Sequence, residues 1–202
     1  MLLQALTGPQ NNPDGASGIA VRGGKQGEMS VSELHGRYYE QTYRQNMFSV
    51  QGVATTTTAA NAATFTGLAV GNPLGSGYNL VVNKITINQV AALTASTNIG
   101  IMYGPSTAPI TASLTTINNK FAGGRSSIAV ATAGQTITAP TSWILLGGGG
   151  SGAMTVPGII PPLYADLEGS LIIGPGFFFA SYTGLVTTTA LLFYFQWEEV
   201  PI

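Results

Sequence analysis

Between Glu40 and Asp166 the chain has no acidic residue, and over that span its only strong bases are Arg44, Lys84, Lys120 and Arg125. Charged residues make up 7% of its 202 positions, against roughly 25% in an average globular domain. So little charge leaves almost nothing with which to assemble acid–base catalysis. The formal net charge of −1 argues against nucleic-acid binding, which needs Lys and Arg to displace counterions from phosphates. Cysteine is absent, which excludes disulfides and thiolate metal sites. There is one histidine, His35, and no His/Cys spacing that suits a metal. Long apolar runs are also missing. Residues 171–197 carry no charge, but Gly174, Pro175, Gly176 and Gly184 interrupt them. Each apolar piece is shorter than the roughly 20 residues that span a bilayer. This segment predicts two buried strands, LIIGPGFFFASY and TTTALLFYFQW, turned at Thr183-Gly184. The opening MLLQALTGPQNNPD has no basic stretch ahead of its apolar residues, so no signal peptide is expected.

Thr, Ser, Asn and Gly carry the polarity, and 27 Gly with 11 Pro punctuate many turns. The length suits one large β-domain, or such a domain with an arm, and is enough to bury a core without staples. A neutral surface is weakly protected against self-association, so much of it is expected to lie inside an assembly.

Charge divides the chain. Eight of the fifteen charged residues fall in the first 49 positions. Residues 8–27 are rich in Gly, Pro and Asn without apolar period, which predicts an extended arm. Ser30 and Glu33 have capping-box spacing, and Leu34 and Tyr38 would share a helical face, but Gly36 weakens the pattern. The expected organisation is an N-terminal arm over 1–46, with a short helix near 30–40 or a partner-ordered segment, and a β-domain over 47–202.

From Met47 onward the signals are those of strands: 47–53, 63–70, 80–93, 97–103, 126–132, 135–139, 142–147, 163–169 and the final pair. In 80–93 the apolar alternation changes phase, which predicts a bulge or a strand passing between sheets. Residues 104–125 read as a long excursion with a weak element around Leu114 to Ile117. Short strands, frequent turns and no internal repeat predict an all-β, jelly-roll-like antiparallel β-sandwich. The final pair is the most apolar and is expected at the centre of a sheet.

Each candidate for chemistry has a plainer explanation. His35 lies near Glu33 and Glu40, but an arm residue explains it. Asp166 and Glu168 share a strand face and have the form of a glycosidase-like or metal-binding pair; a solvated turn before Gly169 is the plainer reading. Glu198 and Glu199 are expected in solvent at a strand end. GGGGSG (147–152) is not followed by Lys-Ser/Thr and is no phosphate loop. Trp143 and Trp197, with the Tyr and Phe residues, offer either a carbohydrate-stacking platform or core packing. No catalytic, cofactor or metal residue is assigned, and an enzyme is not expected. The candidate interface is Tyr38, Tyr39, Tyr43 and Phe48, where the arm meets the β-domain; Tyr suits interfaces, and the cluster packs either on its own domain or on a neighbouring subunit.

The stretches GKQGEMSVSELHGRYYEQTYRQNMFSV, NPLGSGYNLVVNKI and FQWEEVPI resemble virion structural proteins of tailed bacteriophages. ADLEGSLIIGPGFFFASYT (165–183) is similar to the last strands of a jelly roll, with a Pro-Gly turn between two apolar strands. The resemblance covers the N-terminal third and the C-terminal end and carries no catalytic motif. It implies a head decoration, or cement, protein acting as a homotrimer against the major capsid protein or other virion subunits. It also implies residence in the phage particle after synthesis in the host cytoplasm, with neither nucleic-acid nor membrane partners. The alternative is a collar, tail or fibre component with a host-glycan-binding β-domain.

Overall fold

The computed structural model describes residues 36–52, 55–57, 64–91, 93, 95–106, 110–121, 123–137, 140–149 and 162–202. The chain forms two compact units, Met1–Tyr39 and Glu40–Ile202. In the first, the described part is a turn in which Tyr39 N–H donates to the Gly36 carbonyl. A five-residue helix, α1 (Tyr39–Tyr43), precedes the strands. The capping-box segment and His35 lie outside the described residues.

The strands are β1 (Met47–Gln51), β2 (Thr55–Thr57), β3 (Thr64–Gly71), β4 (Tyr78–Gln89), β5 (Thr97–Pro105), β6 (Ile117–Asn118), β7 (Val130–Thr136), β8 (Thr141–Gly149), β9 (Leu163–Ile173), β10 (Phe177–Thr183) and β11 (Thr187–Pro201). They form two antiparallel sheets, ordered β6-β1-β11-β4-β9 and β7-β3-β10-β5-β8, with β2 also paired to β11. Without β2, β6 and β7, the chain pairs first strand with last and works inward: β1 with β11, β3 with β10, β4 with β9, β5 with β8. That is one long hairpin rolled into two layers, the jelly-roll arrangement. The expected all-β sandwich is therefore the fold.

β10 and β11 are central, as their apolar sequences require, but in different sheets. They do not form a hairpin: LII belongs to the end of β9, and Gly174-Pro175-Gly176 connects β9 to β10. Gly176 takes a φ of 80° there, in the left-handed region that glycine tolerates. Phe193, Phe195 and Trp197 alternate along β11 and are all fully buried. Phe195 meets Phe179 of the opposite sheet at 4.9 Å between ring centroids. The phase change in 80–93 is a bulge at Asn83: Leu80 and Val82 face the core before it, Ile85 and Ile87 after it.

The excursion after β5 has a structural task. Ile110 packs with Ala69, Met102, Ile137, Phe178 and Ala180 in a second, smaller apolar cluster. Leu114 then bridges to Ala131, and β6 adds to the edge of the other sheet through β1. The chain thus closes one flank of the sandwich. The opposite flank, between edge strands β8 and β9, carries the features described next.

Candidate functional site

β8 enters its sheet with irregular register. Met102 faces Ser142 and Ile101 faces Ile144, so Trp143 is an extra residue with no partner across the ladder. A bulge of this kind re-aims its side chain. Trp143 packs partly on the core and lines a cavity of about 360 Å³ with Tyr103, Leu171, Ile172, Ile173, Gly174 and Phe177. Tyr103 comes from β5, Phe177 from the start of β10, and the aliphatic wall from the end of β9. Tyr103, Ile172 and Phe177 are 37%, 58% and 44% exposed, so the cavity opens to solvent. Among the described residues none that lines it is charged. Gly174 stands next to Asn79, whose Oδ1 would lie 3.8 Å from a Cβ at that position.

A polar clasp holds the closed flank. Glu199 is completely buried in β11. Its Oε1 accepts from Ser127 Oγ at 2.6 Å and from the Ile128 amide at 3.0 Å. Its Oε2 lies 2.6 Å from Arg125 Nη1. The Arg125 guanidinium sits 4.8 Å from the Phe48 ring centroid and 5.5 Å from that of Tyr78. Gln45 and Asn46 complete the clasp: Arg125 N–H donates to Gln45 Oε1, and Glu199 N–H donates to the Asn46 carbonyl. The expectation that Glu199 returns to solvent is corrected: β11 continues to Pro201, and the excursion folds over it. Glu198, its neighbour, is partly exposed, and burial raises its carboxyl above the ordinary value.

The four aromatic residues of the expected interface take different positions. Tyr38 is half-buried, with the Arg37 guanidinium 5.5 Å from its ring centroid. Tyr39 and Tyr43 are exposed. Lys120 lies 4.8 Å from the Tyr43 ring centroid and donates to the Tyr43 carbonyl. Phe48 is fully buried and stacks on Trp197, so its ring is core and offers nothing to a partner. Trp197 is equally buried and takes no part in a stacking platform. Asp166 and Glu168 are both exposed on β9. Glu168 has a φ of 48° within a bulge that includes Gly169, and Asp166 accepts from the Tyr164 hydroxyl at 3.5 Å. Among the described residues no cluster of His, Asp and Glu is placed to hold a metal, and no helix is long and apolar enough to cross a membrane.

Comparison with protein-family models, curated proteins and solved structures finds no match to this chain. The fold defines the class, an all-β jelly-roll-like antiparallel sandwich.

Proposed function

We propose that this protein is a non-enzymatic structural component of a phage particle, a decoration protein that stabilises the head by binding across neighbouring capsid subunits. The observation that carries the reading is the rolled-hairpin strand order, an architecture used by viral capsid domains and also by lectins and cupins. The scarcity of charge supports it: neutral Thr- and Ala-rich faces are better suited to burial between subunits than to permanent hydration. A cement protein acts by mass action, because whatever binds only the assembled shell stabilises that shell. In this reading the protein is a homotrimer, and its partner is the major capsid protein or another virion subunit. The N-terminal segment anchors it by gaining order on binding.

The test is removal of residues 1–39, which leaves the compact unit Glu40–Ile202 and keeps Gln45 and Asn46 in the clasp. The truncated protein is expected to fold, with a β-type circular dichroism spectrum, and to be lost from purified particles. Full incorporation of the truncated protein overturns the anchoring role.

A further inference from the structure

The flank between β8 and β9 carries a solvent-facing cavity. We propose that the cavity formed by Tyr103, Trp143, Ile172 and Phe177 binds a neutral pyranose of a glycan. The inference does not depend on the particle reading, since a particle component and a freely dissolved lectin are equally able to carry such a site.

Three observations converge. First, three aromatic side chains from three different strands line one cavity. At about 360 Å³ its volume falls within the range of small-molecule sites, about 300–1,000 Å³. Aromatic residues in a sandwich ordinarily turn into the core, as Phe48, Phe179, Phe195 and Trp197 do here. Tyr103 and Phe177 remain exposed, and Trp143 reaches the cavity through a bulge in an edge strand. Strand bulges recur next to functional sites because they redirect a side chain.

Second, the chemistry of the wall is amphipathic and uncharged. Tyr and Trp present an apolar ring with a polar tip. A pyranose has the matching character: a face of C–H groups that packs on a ring, and hydroxyls at its rim that need donors and acceptors. The side-chain oxygen of Asn79 lies near Gly174, one of the lining residues, 3.8 Å from where a Cβ on that glycine would stand.

Third, charge selects the ligand. With no Asp, Glu, Lys or Arg among the described lining residues, a phosphate, a carboxylate or a sialic acid would lose hydration with no ion there to compensate it. The same argument disfavours a quaternary ammonium: such cations also use aromatic cages, but this cage supplies no anion.

The test is an array of glycans, neutral (hexose and N-acetylhexosamine), sialylated and phosphorylated, probed with the full-length protein. The strongest neutral hit is then titrated by isothermal titration calorimetry, which reads the wild type and every variant alike. Binding to neutral glycans is expected, weakened about tenfold or more by Trp143→Ala and by Tyr103→Ala, as for removal of a central anchor, and largely retained by Trp143→Phe. Tyr103 is the safer position if Trp143→Ala unfolds the protein. Absence of any neutral hit overturns the proposal, as does binding indifferent to both alanine variants. Saturation by choline in place of sugars, or concentration-dependent self-association that Tyr103→Ala abolishes without any glycan hit, also overturns it.

Discussion

Arg125 and Glu199 lie 2.6 Å apart across the closed flank, the carboxylate fully buried and the guanidinium between two aromatic rings. The pair joins the long excursion to the last strand.

Removing the cation strands a buried anion. Arg125→Ala is expected to cost about 3 kcal/mol, near the low end for breaking a buried pair, because Ser127 and the Ile128 amide still engage the other oxygen. Arg125→Ala combined with Glu199→Gln should be less damaging than Arg125→Ala alone, since no charge is then left uncompensated. Urea unfolding of the three proteins measures this.

Glu198 gives a pH signature. Burial raises its folded-state pKa above the ordinary value of 4.5, so the folded state holds the proton more tightly than the unfolded chain does. Its relative contribution to stability is fully present below the unfolded-state value and is lost as pH rises through the folded-state value. Glu198→Gln is therefore expected to be more stable than wild type at pH 7. The advantage should disappear as the pH falls below about 4.5. Denaturant curves for both proteins at neutral and acidic pH decide it; an unchanged difference across that range contradicts the assignment.

Phe179 and Phe195 tie the two sheets together at 4.9 Å. Either alanine substitution should cost about 3–5 kcal/mol. The double variant should fall short of additivity by about 0.5–1.5 kcal/mol, the usual worth of an aromatic pair beyond its area. A double-mutant cycle in urea provides the measurement.

Gly100 allows β5 and β8 to approach. A Cβ there would stand 2.1 Å from the Ile144 carbonyl oxygen and 3.0 Å from the Leu145 Cα, both backbone atoms that cannot swing aside. Gly100→Ala should destabilise the protein and loosen β8 most. Hydrogen exchange is expected to rise in β8 more than in β11; uniform exchange would contradict this.

Much of the fold was legible because strands obey local rules. The phase change in 80–93 marked the bulge at Asn83, since the pleat forces alternate residues to opposite faces. The apolar runs in β10 (Phe177–Ala180) and β11 (Ala190–Phe195) marked central strands. Their assignment to separate sheets was not legible, because topology depends on pairing between distant residues. Glu199 was misread for the same reason: two adjacent glutamates at a strand end look solvated, and the residues that bury Glu199 lie about 70 positions away. Trp143 was noticed as an aromatic residue, but the bulge that turns it toward the cavity arises only from its register against β5. Phe48 was grouped with its tyrosine neighbours by proximity in sequence, although its strand position against Trp197 makes it core.

The central places of β10 and β11 bear on biogenesis. Each layer is organised around a strand drawn from residues 177–201, so until that segment pairs the layers exist only as the separate pairs β1–β6, β4–β9, β3–β7 and β5–β8. Assembly then waits on distant pairings, which form slowly, and unpaired strands remain open to aggregation meanwhile. Conditions that slow the pairing of residues 177–201 are therefore the ones under which the unfinished fold is most exposed to misassembly.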